Sequence, residues 1–99
     1  MIHVLAIITA KPGQRGNLLQ AFKAIVPIVH AEAGCIEYGP VVDVDGADPA
    51  FGPDTFVVVE KWESMAALEV HAIAPHMKAY SEKTKDLVAK RAVHVLTDA

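Results

Sequence analysis

Residues 2 to 10, IHVLAIITA, are aliphatic and β-branched on both alternations, with Ile2, Val4, Ala6 and Ile8 on one and Leu5 and Ile7 on the other. Successive side chains of a strand point to opposite faces of its sheet, so this strand needs apolar cover above and below. Any architecture built on it must cover a sheet twice.

The rest of the chain supplies the first cover. After the Lys-Pro-Gly punctuation at residues 11 to 13, Leu18, Phe22, Ile25 and Val29 recur at helical spacing, predicting a helix from about Gln14 to Ala33. Pro27 falls roughly opposite that stripe and predicts a kink or an early end. GCIEYGPVVDV reads as a second strand with Ile36, Tyr38 and Val42 on one alternation, and Pro40 marks it as an edge strand or one with a bulge. Residues 45 to 54, DGADPAFGPD, are turn chemistry throughout and read as a long hairpin connection. TFVVVEKWE is a third strand, Ser64 a candidate cap for a short helix, and Pro75 the end of that helix. From Pro75 the residues Met77, Tyr80, Thr84, Leu87 and Val88 follow a second helical period, and AVHVLT closes the chain as a strand.

The order β-α-β-β-α-β, with its second helical stretch broken, is that of an α+β ferredoxin-like sandwich with an antiparallel sheet. Its helices cover one sheet face only. A second copy of the chain is the simplest cover for the other, so a homodimer is expected.

Ninety-nine residues, 53% hydrophobic and 21% charged, predict one domain over residues 1–99. A net charge of −3 supplies no basic stripe for phosphates, so nucleic acid is not an expected partner. Cys35 is the only cysteine, which leaves no disulfide framework or paired-thiol motif and suits a reducing compartment. The opening residues lack a basic segment and a small-residue cleavage site, and no stretch has the ~18 apolar residues of a membrane span. A soluble, cytoplasmic protein is expected.

Two histidines, His71 and His76, flank Pro75 five positions apart. On a continuous helix such positions lie roughly 140° apart and cannot share a metal ion as an i, i+4 pair does, so no metal site is expected. Proline favours the first position of a helix, which predicts a restart there with His76 in the first turn, where the helix dipole disfavours an imidazolium. Such a kink can turn both imidazoles toward one cavity, as base or as donor to a developing oxyanion. The bland alternatives are a polar residue at a helix boundary and an exposed residue at a helix start. Trp62 shares a strand face with Phe56, Val58 and Glu60. It suits either the core or a pocket wall that stacks on a flat ligand. Glu60 is then a paired carboxylate or a pocket acid that polarises a histidine, and Tyr38 and Tyr80 each combine an apolar body with a polar tip. The glycines fit neither a dinucleotide nor a nucleotide phosphate cradle, and no nucleophile elbow is present.

Two blocks, AEAGCIEY at residues 31 to 38 and VVVEKWESMAALEVHAIAPHM at residues 57 to 77, resemble the antibiotic biosynthesis monooxygenase superfamily, in particular its quinol monooxygenase-like small proteins. The resemblance runs over almost the whole chain. It implies a dimeric α+β barrel and a monooxygenase that uses neither metal nor flavin. In that chemistry a base converts a quinol or anthrone to an electron-rich anion, which passes an electron to dioxygen before the radicals recombine. Trp62, His71 and His76 fall on motif positions that face the family's pocket, and Tyr38 and Glu60 match motif positions as well. Other branches imply other activities. Haem degradation uses an asparagine in the first strand, and none stands there; a branch acting on phosphorylated dihydroxyketones wants cationic pocket residues, whereas Lys61 points away from Trp62. A non-catalytic ligand-binding or stress-related dimer and an isomerase stay open, since proton abstraction beside a carbonyl needs the same base.

Overall fold

In the computed structural model, which describes residues 1–99, the elements are β1 (Ile2–Ala10), α1 (Arg15–His30), β2 (Cys35–Val41), β3 (Thr55–Trp62), α2 (Met65–Ala72), α3 (Pro75–Thr84) and β4 (Val88–Thr97), with a 3-10 turn at Lys85–Leu87. The strands form one antiparallel sheet in the order β2-β3-β1-β4. This is the expected α+β ferredoxin-like topology, and β1 lies inside the sheet with a partner on each edge.

Register decides what meets the helices. Val4 stands opposite Glu60 on β3 and Val95 on β4, and Ile2 stands opposite Trp62, so these residues share the inner face. Against that face pack Leu18, Phe22 and Val29 of α1, joined by Val4, Ala6, Tyr38, Phe56, Val58 and Trp62 in one cluster. A fully buried side chain of this size is stabilised by roughly 1.5–3 kcal/mol relative to water, which is what fixes α1 to the sheet.

α1 runs through Pro27 and ends at His30, three residues before the expected limit. Pro27 is exposed, and so is Lys23, whose carbonyl the proline leaves without its helical donor. β2 is an edge strand, as Pro40 requires, and it carries a bulge between Cys35 and Glu37. The bulge corrects the expected alternation. Ile36 becomes the extra residue and is 49% exposed, while Tyr38 turns inward at 4%. Val42 lies beyond the strand.

The connection after β2 is held by short polar contacts. Asp43 accepts backbone hydrogen bonds from Phe51 (3.1 Å) and Gly52 (2.9 Å), and these bonds hold its carboxyl below the usual range. Arg15 donates to the Thr55 carbonyl at 3.1 Å and so ties this loop to the start of α1. β4 begins at Val88, earlier than the expected AVHVLT segment, and stays exposed along most of its length, including Val93 (46%), Val95 (48%) and Leu96 (45%). No helix is long and apolar enough to cross a membrane.

Candidate active site

The site is built at the break between α2 and α3. Ser64 caps α2 by accepting from the Ala67 N–H (3.2 Å), and the helix ends at Ala72. Ala74 is extended (φ −62°, ψ 141°) and is the N-cap of α3, with Pro75 in the first turn. Its N–H still reaches the His71 carbonyl at 3.1 Å, and its own carbonyl accepts from Met77 and Lys78. The missing donor at Pro75 therefore interrupts the helix between the two histidines. The 140° separation of a continuous helix does not apply.

Both imidazoles turn to one carboxylate. Glu32 Oε2 lies 2.8 Å from His71 Nδ1 and 2.9 Å from His76 Nε2. An ionised carboxylate only accepts, so each ring carries a proton on the contacting nitrogen. Hydrogen bonds to a charged group contribute about 1.5–3 kcal/mol each, enough to fix both rings. Glu32 reaches this position because the turn after α1 is pinned at three points: Glu32 N–H to Val29 O (3.0 Å), Cys35 N–H to Glu32 O (3.2 Å) and Glu63 N–H to Gly34 O (2.9 Å). Gly34 has φ +83°, which a side chain rarely adopts.

His71 is buried, at 6% exposure. Its ring lies 4.7 Å from that of Trp62 at 34° and meets Tyr38 edge-on at 5.4 Å. No side-chain nitrogen or oxygen in the chain is both fully buried and unpartnered, and His71 makes its one side-chain hydrogen bond through Nδ1. Its Nε2 therefore keeps contact with solvent, with the lone pair that the tautomer leaves there. The result is a buried imidazole oriented by a carboxylate, with a second nitrogen that has no protein partner.

Trp62 is fully buried and donates its indole N–H to Glu60 Oε1 at 3.0 Å. Burial pushes the Glu60 carboxyl up from its ordinary range, opposed by that hydrogen bond and by the nearby His71. Burial, with Glu60 next, pushes the Tyr38 phenol so far up that it stays neutral at physiological pH. Burial also raises the thiol of half-buried Cys35, unlike an activated nucleophile.

Of the residues singled out in the sequence, His71, His76, Trp62, Tyr38 and Glu60 gather here. Tyr80 joins only through Phe22, which it meets edge-on at 6.0 Å and which stacks on Tyr38 at 5.4 Å. Glu32 was not among them, although it opens the Glu-x-Gly-Cys block. The geometric objection to a shared metal ion also falls, since one ligand atom from each of Glu32, His71 and His76 lies within 4.8 Å of the others. Two shallow, half-open hollows lie elsewhere: about 100 Å³ beside Val42 and Phe51, and about 400 Å³ bounded by Ile7, Phe51 and Arg91.

Residues 1–83 match the family of antibiotic biosynthesis monooxygenases. The chain belongs to that family. It is 43% identical over 100 residues to the probable quinol monooxygenase YgiN of Escherichia coli K12, covering 97% of this chain and 96% of that protein. Among solved structures it resembles PA3566 of Pseudomonas aeruginosa (28% identity, TM-score 0.83, 99% of this chain and 93% of that one). It also resembles Rv0793 of Mycobacterium tuberculosis (27% identity, TM-score 0.82, 99% and 94%). Family and relatives support a monooxygenase.

Proposed function

We propose that the chain oxidises a quinol or anthrone-like aromatic substrate with dioxygen and without a bound cofactor, and that His71 is the base. The observation that carries this reading is the 2.8 Å contact of His71 Nδ1 with Glu32 Oε2: an ionised Glu32 accepts from Nδ1–H, which leaves Nε2 as a proton acceptor without a protein partner. His71 Nε2 takes the phenolic or anthrone proton, and the resulting anion gives one electron to dioxygen. Recombination of the two radicals forms the new C–O bond. One oxygen atom enters the product and the other leaves as water, with all electrons drawn from the substrate. Such a base contributes typically 10²–10⁴-fold.

The inner sheet face continues from Glu60 through Val4 to Val95, and Val93 and Val95 are half exposed there. This apolar shelf suits a flat ring, and the buried Trp62 and Tyr38 pack against His71. The outer face keeps Leu5 (37%) and Leu96 (45%) in solvent, which supports a homodimer as its cover. We read residues 1–99 as one domain and, from the lone half-buried thiol, the cytoplasm as its compartment.

The test is incubation of chelator-treated protein with a panel of quinols and anthrones under ¹⁸O₂, with autoxidation subtracted. The reading predicts one labelled oxygen atom per product molecule. Binding of substrate without label or oxygen uptake would instead identify a ligand-binding protein, and a rearranged product without label an isomerase.

A further inference from the structure

We infer that Glu32, His71 and His76 form a binding site for a divalent first-row transition-metal cation, ligated by Glu32 Oε2, His71 Nδ1 and His76 Nε2. These three atoms lie within 4.8 Å of one another, and the carboxylate oxygen stands 2.8 Å and 2.9 Å from the two nitrogens. Neighbouring donors around an ion bound at about 2.1 Å are roughly 3.0–3.4 Å apart. Along the two edges that meet at Glu32, an ion therefore needs only a small outward movement of the side chains, and the two nitrogens, within 4.8 Å of each other, must close to that same range.

The donor set selects the cation. Two imidazoles and one carboxylate suit zinc, cobalt, nickel or ferrous ions, whereas calcium and magnesium want oxygen donors. Charge favours occupancy as well. The Glu32 side chain is only 13% exposed, and its ion-pair partners are the two imidazoles alone. The Lys–Glu pairs of the chain, Lys61 with Glu37 and Lys85 with Glu82, lie elsewhere. Buried charges are paired or ligate metals, and Glu32 has no fixed cation beside it. The supporting backbone is set in advance, by Gly34 on the Glu32 side and by Pro75 on the histidine side.

Cation binding and the hydrogen-bonded state exclude each other. Each contacting nitrogen carries a proton when it bonds to Glu32 and must present a lone pair to a metal. In a neutral ring the proton moves to the other nitrogen, so His71 Nε2 becomes N–H with no net proton release. A ligated His71 can no longer accept a proton at Nε2. Inhibition of the proposed oxygenation by the cation follows, and that consequence rests on the proposed reaction; binding itself does not.

The experiment is titration of metal-depleted protein with Co²⁺, followed by its visible ligand-field absorption, with Zn²⁺ as competitor and no substrate present. One Co²⁺ per chain, displaced by Zn²⁺, is expected. Glu32→Gln and His76→Ala, each with a native circular dichroism spectrum, should weaken Co²⁺ by more than ~10-fold, the least that even outer partners of metal ligands cost. His3→Ala removes the His3–Asp98 contact at 2.7 Å and should leave binding unchanged. If His76→Ala does not fold, His76→Asn replaces it, since that side chain is 26% exposed. Absence of saturable Co²⁺ binding would overturn the site, as would full binding by both variants or its loss in His3→Ala. Oxygen uptake separates the two readings. Zn²⁺ bound at one equivalent without inhibition would sink the role of His71 and leave the metal site standing, whereas normal uptake with no metal binding would do the reverse.

Discussion

Gly34 and Ala67 approach so closely that a β-carbon on the glycine would fall 2.6 Å from the Cβ of Ala67. The contact joins the turn that carries Glu32 to the helix that carries His71, so it sets the distance between them. Gly34→Ala must both adopt φ +83° and push α2 away. The first costs roughly 1–2 kcal/mol and the second roughly 1–3 kcal/mol. Thermal unfolding should show a fall of several degrees or more. Adding Ala67→Gly should recover the packing part and leave the conformational part.

Ser64→Ala should remove the only side-chain cap of α2, whose hydroxyl accepts from Ala67 N–H at 3.2 Å. The expected loss is about 1 kcal/mol by denaturant unfolding. Because α2 presents His71, activity should fall together with local order, visible as faster amide exchange in residues 65 to 72.

Glu60 gives stability a pH dependence. Burial raises its folded carboxyl above the ordinary value of 4.5, so the folded chain holds this proton where the unfolded chain has released it. Between the unfolded and the raised folded values the folded state binds more protons, and stability contributed by this group falls as pH rises. Glu60→Gln can still accept from the Trp62 indole but has nothing to ionise. Melting curves of the two proteins should be closest near pH ~4 and diverge in favour of Glu60→Gln toward pH ~7. A constant offset across that range would contradict this account.

Trp62→Phe keeps the ring in the core and removes the indole N–H that Glu60 Oε1 accepts at 3.0 Å. A buried acceptor left without its donor costs about 1–3 kcal/mol, more when charged. Denaturant unfolding should show that loss at pH ~7 and a smaller one near pH ~4, where the carboxyl is protonated.

Much of this was legible in the sequence. Period-two runs and a 3-4 stripe located β1, β3 and α1, and Pro75 announced the restart that aligns His76 with His71. What escaped depended on contacts distant in sequence. Glu32 lies 39 and 44 positions from the histidines it joins, and nothing local in AEAGCIEY shows that its carboxylate will meet α2 and α3. Simple alternation puts Ile36 on the face of Tyr38, whereas a bulge inserts one residue and moves the alternation, which composition does not reveal. Helical spacing carries α1 to Ala33, whereas the helix ends at His30 because the tight turn at Gly34, not helix propensity, fixes where the chain must leave for β2.

We propose His71, oriented by Glu32, as the base. The most direct test is oxygen uptake at saturating quinol by chelator-treated wild type, His71→Ala and Glu32→Gln, with circular dichroism confirming a native fold. The account predicts that kcat falls at least ~100-fold in His71→Ala, the lower end of what general base catalysis supplies, and falls by less in Glu32→Gln. Uptake by a folded His71→Ala at the wild-type rate would contradict it.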